Sequence, residues 1–108
     1  MSDPSDNLPW SEQYRIVAKQ WVDADAAANF REEMKSAQLS RLMAKEGDIP
    51  VSRAEMNVKA SDEWGEFIEQ MTDARQKATK LKVQLEYIRM KFMEWQSENA
   101  TKRAEMRL

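Results

Sequence analysis

The sequence predicts an all-α protein, a long antiparallel helical hairpin of coiled-coil type with a short helix or turn between its two long helices. Three observations carry this. Only two glycines and three prolines occur in 108 residues, whereas a sandwich or barrel needs turn residues about every 8–12 positions. Residues 10–45 contain neither Gly nor Pro. From Trp64 onward, apolar side chains recur in an unbroken alternation of three and four, which is the 3.5-residue period of a coiled-coil seam. At this length one domain is expected, and 42% hydrophobic residues with 17 basic against 19 acidic side chains exclude a charged disordered chain.

The elements follow in order. Residues 2–7 are Ser, Asp, Pro and Asn, with Met1 and Leu8 the only large apolar residues of 1–8, so a disordered acidic arm is expected there, ahead of one helical domain over 9–108. Pro9 suits the first turn of a helix, which then runs to about Lys45. Gly47 and Pro50 punctuate its end. Ser52-Arg53-Ala54-Glu55 fits a capping box, predicting a short helix or turn within 46–60. Ser61-Asp62-Glu63 reads as a second cap, with acidic residues at the positive end of the helix dipole, and opens a helix over about 61–105.

The seam of that last helix is Trp64, Phe67, Met71, Ala74, Ala78, Leu81, Leu85, Ile88, Phe92 and Trp95. Asn99 and Lys102 occupy the next two seam positions, so the tail from Ser97 is expected to fray or to depend on a partner. The first helix carries Trp10, Tyr14, Val17, Trp21, Ala24 and Ala28, then shifts register through Phe30, Met34 and Ala37 to Leu39, Leu42 and Met43. Folding back about residue 52 sets Trp10 near Trp95, Tyr14 near Phe92, Trp21 near Leu85, and Ala24, Ala27 and Ala28 near Ala78, so that large faces large and small faces small. Ile16, Val22, Phe30, Ile68, Val83, Tyr87 and Met90 lie off this seam. A second copy covering that strip, making a homodimeric helical bundle, is the economical expectation.

The chain has no Cys and no His. Ser-His-Asp and Cys-His nucleophiles, the usual zinc sites and disulfides are therefore excluded, and no enzyme activity, metal or cofactor is expected. Glu66 and Glu69 fall outside the heptad of Phe67 and Met71, as solvated surface does, and Gly47 and Gly65 are too far apart for a phosphate loop. No apolar run approaches the length of a membrane span, and the N-terminus is acidic where a secretory signal is basic, so a cytoplasmic protein without membrane contact is expected.

Charge is asymmetric. Residues 1–73 hold eight basic against fifteen acidic side chains, and residues 74–108 hold nine against four. Arg75, Lys82 and Arg89 repeat every seven residues on one helix face, with Lys77 and Lys80 beside them. This stripe either tracks a nucleic-acid backbone or pairs with Asp23, Asp25, Glu32 and Glu33 of the first helix, and the pairing is the simpler reading. Eight Met and four Trp form a rich apolar supply. Trp10, Trp95, Met90 and Met93 are the candidates for contact with a protein partner, since Trp anchors interfaces and Met adapts to them.

The stretch from Arg89 to Leu108, ending Arg103-Ala104-Glu105-Met106-Arg107-Leu108, resembles the closing segment of small helical proteins of unknown function from tailed bacteriophages and prophages, often encoded beside recombination or replication genes. The likeness covers the helix from about residue 60; the first helix matches only in length and helicity. The resemblance brings no catalytic motif. It implies a phage-encoded accessory protein, acting in the host cytoplasm, that serves phage DNA metabolism or blocks a host defence system. The expected function is accordingly a non-enzymatic interaction protein binding a nucleic-acid-processing or defence complex, with direct DNA or RNA binding through the basic stripe as the alternative and a structural virion component as a third reading.

Overall fold

The computed structural model describes residues 8–107; the acidic arm expected at 1–8 lies outside them save for Leu8. All described elements are helices: α1 (Trp10–Glu33), α2 (Lys35–Ala44), α3 (Val51–Lys59) and α4 (Asp62–Arg107). The all-α expectation is met.

The carbonyl of Pro9 accepts the first helical bonds from the Glu12 and Gln13 N–H groups at 3.0 Å, and the Gln13 amide reaches back to the Leu8 carbonyl at 2.7 Å. The expected single helix to Lys45 is interrupted at Met34, whose φ of −80° and ψ of −5° depart from helical values. The hydrogen-bond ladder nevertheless crosses the interruption, from Met34 N–H to Phe30 and from Gln38 N–H to Met34. The distortion lies between the two changes of apolar register, the one near residue 29 and the one ahead of Leu39. Beyond it, Leu39, Leu42 and Met43 of α2 pack with Val58 of α3 and Trp64 of α4.

Gly47, at φ +84°, is the left-handed residue that ends the α2 turn, a conformation that costs an L side chain energy. The expected capping box at Ser52 does not form. Pro50, at φ −57° and ψ 142°, holds the cap position, and its carbonyl accepts from Arg53 and Ala54, which puts Ser52 inside α3 with its hydroxyl outside the cap. Ser61 behaves as expected: its hydroxyl accepts from the Trp64 N–H at 3.3 Å and donates to the Val58 carbonyl at 2.6 Å, joining the end of α3 to the start of α4. The tail expected to fray from Ser97 is helical to Arg107 and almost wholly exposed.

Two compact units are distinct. In the first, residues up to Val22 and from Thr79 onward, Val17 of α1 is buried with Leu85 and Ile88 of α4, and Trp10, Ala18, Trp21 and Leu81 pack against them. In the second, residues 23–78, Leu42, Val58 and Trp64 form the core, with Leu39, Met43, Phe67 and Ile68 around it and the Trp64 and Phe67 rings stacked at 5.6 Å. Ala24, Ala28 and Ala78 are also buried in this unit, whereas Ala27, expected beside them, is exposed. Ala27 points about 100° away from Ala28 around α1.

Along α4 the seam residues Trp64, Phe67, Met71, Ala74, Ala78, Leu81, Leu85 and Ile88 are all buried or half-buried, while Phe92 and Trp95 are exposed. Among the described residues no polar side chain is buried, and no helix is long and apolar enough to cross a membrane.

Candidate interaction surface

The exposed end of the seam is where apolar surface and charge meet. Phe92 and Trp95 are one turn apart on α4 and stack on each other with ring centroids 6.1 Å apart and planes at 22°. Trp95 is 48% exposed in this arrangement. The expected pairing of Trp10 with Trp95 is replaced by this local stack, which needs no second element because i and i+3 side chains already share a helix face. Trp10 instead packs against the Val17–Leu85–Ile88 cluster.

Between Trp10, Ser11 and Tyr14 of α1 and Ile88, Arg89 and Phe92 of α4 lies an open groove of about 400 Å³. A smaller depression of about 240 Å³ adjoins it, lined by Tyr14, Trp21, Lys82, Leu85, Glu86 and Arg89. Tyr14, Ile88 and Phe92 give the groove an apolar lining, and Arg89 lines both hollows. The two hollows thus bring aromatic side chains and the shared Arg89 cation together on the surface of the first unit.

Met90 and Met93, grouped with Trp10 and Trp95 from the sequence, are exposed but belong to other faces of α4. At 100° per residue, Met90 lies nearly opposite Phe92, and Met93 nearly opposite Trp95. Met90 lines up with exposed Val83 and Tyr87. Of the off-seam residues expected to form a second apolar strip, Val22, Phe30, Val83, Tyr87 and Met90 are indeed exposed, whereas Ile16 and Ile68 are half-buried and Ile68 joins the core of its unit.

The basic stripe divides. Arg75 is committed within its unit: Nε and Nη2 donate to the two carboxylate oxygens of Glu32 at 3.0 and 2.6 Å, Nη1 donates to Asp25 at 2.7 Å, and Nη2 also reaches the Asn29 amide oxygen at 2.6 Å. Asp25 and Glu32 are seven residues apart and so share one face of α1, which is why they, and not the neighbouring Asp23 and Glu33, receive the guanidinium. Hydrogen bonding from Arg75 holds the Glu32 carboxyl below the usual carboxylate range, and bonding to Glu32 and then Asp25 raises Arg75 further above its already high value. Beside this cluster, Arg31 donates to the Gln70 side chain at 3.0 Å. Lys77, Lys80, Lys82 and Arg89 are exposed and form no ion pair among the described residues. The sequence placed Arg75 in the same class as these four. Only the helix opposite it tells them apart.

Among the described residues no group of three or more Asp and Glu is arranged to hold a metal ion. The molecule is thus of the all-α class, with an aromatic groove and an exposed aromatic pair. Comparisons with protein-family models, with curated proteins and with solved structures give no match.

Proposed function

We propose that this protein is a non-enzymatic, coiled-coil hairpin that self-associates and binds a protein partner through the Trp10–Tyr14–Phe92 groove and the Phe92–Trp95 pair. One observation carries the reading: the seam of α4 is covered as far as Ile88, and its last two aromatic members are exposed beside an apolar groove. Exposed aromatic side chains that continue a buried seam match the way interface anchors are presented. The antiparallel pairing of α1 with α4 is supported unit by unit, by Val17 against Leu85 and Ile88 and by Asp25 and Glu32 against Arg75. The phage-like ending favours a partner that handles nucleic acid or serves host defence, with the protein acting as an accessory factor or inhibitor in the cytoplasm.

A second reading rests on Lys77, Lys80, Lys82 and Arg89, which have no acidic partner among the described residues and present cations along α4. In that reading the protein contacts DNA or RNA directly, and affinity falls steeply with salt. Affinity capture from nuclease-treated host lysate separates the two. The first reading expects a specific protein that is retained by the unaltered chain and lost with Phe92→Ser/Trp95→Ser. Capture unaffected by that pair, or binding abolished by nuclease and by reversing the four cations, contradicts it.

A further inference from the structure

Half a turn around α4 from Leu81, Leu85 and Ile88 lies a second stripe: Lys80, Val83, Tyr87, Met90 and Glu94, spaced three, four, three and four apart. Val83 is 60%, Tyr87 59% and Met90 67% exposed. The stripe is chemically symmetric about its middle. Tyr87 is central, an aliphatic or thioether side chain follows on each side at four residues before and three after, and opposite charges close it at seven residues before and seven after. A single chain gains nothing from that symmetry. A second copy placed antiparallel across a two-fold axis at Tyr87 sets Tyr87 beside its counterpart, Val83 against Met90 twice, and Lys80 against Glu94 twice.

The geometry points to this stripe as the self-association surface, an isologous contact in which α4 of one copy lies antiparallel along α4 of another with the two-fold axis at Tyr87. It deepens the self-association proposed above and rests on that reading. Lys80 to Glu94 spans about 21 Å of helix at 1.5 Å per residue, long enough for a continuous contact. Complementary charges at both ends set the antiparallel direction, because a parallel pairing in register brings Lys80 against Lys80 and Glu94 against Glu94. Among the described residues Lys80 has no ion pair, and Glu94 has only the half-buried Lys91 at 3.6 Å, so both remain available. Lys91 also lies 5.9 Å from the Tyr87 ring centroid, and Glu86 and Lys91 stand on opposite flanks of the stripe.

The test uses the full chain and measures the dimer dissociation constant by sedimentation equilibrium. Lys80→Glu replaces two attractive contacts with two repulsive ones, as does Glu94→Lys, and each single change is expected to weaken the dimer about tenfold. The combined K80E/E94K exchange restores the symmetry with the signs reversed, and returns affinity to near that of the unaltered chain. Because the chain contains no Cys, Tyr87→Cys places its only thiol at the axis, and mild oxidation is expected to yield a disulfide-linked dimer, whereas exposed Val51→Cys stays unlinked. Helicity by circular dichroism checks that each variant folds. A dimer insensitive to both charge reversals and uncrosslinked through Tyr87→Cys overturns this interface while leaving self-association elsewhere standing. A chain monomeric at every concentration overturns both.

Discussion

Ala27 and Ala28 differ by one position and have the same side chain, yet the structure assigns them opposite responses to enlargement. Ala28 is fully buried, with no accessible surface, and Asp25 and Glu32 share its face of α1. Those two residues are drawn to Arg75 by bonds of 2.6 to 3.0 Å, so the surface around Ala28 is fixed from above and cannot lift without breaking them. Ala78, equally buried, lies one turn beyond Arg75 on α4. Leu is nearly as good a helix former as Ala, so Ala28→Leu tests space alone. Three added carbons with nowhere to go cost about 1–3 kcal/mol. For a domain of this size a loss near 2 kcal/mol lowers the thermal midpoint by roughly 8–16 °C. Ala27→Leu, on the exposed face, is expected within about 0.5 kcal/mol of the unaltered protein. Urea melts followed at the helical circular-dichroism band measure both. Equal effects of the two changes, or a neutral Ala28→Leu, refute the close approach of small residues in this unit.

Three further substitutions follow from local geometry. Gly65 sits inside α4 with open space where a Cβ belongs, so Gly65→Ala stabilises by about 0.5–1 kcal/mol, whereas Gly47→Ala at φ +84° loses about 1–2 kcal/mol; thermal melts of opposite sign are the signature. Arg75→Met removes the partner that lowers Glu32. A carboxyl held low when folded contributes stability that is complete above its ordinary value and is lost as pH falls through the lowered one, so the unaltered protein weakens more steeply on acidification than Arg75→Met, which acid titration of stability reads directly.

Much of this was legible from residue order. The three-four alternation located the buried face of α4 because a 3.5-residue period leaves one consistent stripe, and burial follows it from Trp64 to Ile88. Ser61 was legible as a cap because its chemistry is local, and Gly47 as a stop for the same reason. What escaped were matters decided by neighbours. Periodicity defines a face but says nothing of whether another element reaches it, so Phe92 and Trp95 looked like Ile88. Ser52 carried the right cap motif, but Pro50 already held the required backbone angles two residues earlier. The interruption at Met34 has no Gly or Pro to announce it; its one trace is the register shift between Phe30 and Leu39. The stripe of cations was visible, while the division between a committed Arg75 and its four unpaired companions depended on which acids α1 turns toward it.

The most direct test of the account is light scattering coupled to size-exclusion chromatography on the purified chain, alone and with short single- and double-stranded DNA at low and moderate salt. A self-associating protein that acts on another protein elutes at twice the 12.6 kDa chain mass and ignores the DNA at both salt concentrations. A monomer contradicts the self-association, and a mass that rises with DNA at low salt and falls back at moderate salt contradicts the protein-binding reading and makes Lys77, Lys80, Lys82 and Arg89 the binding site.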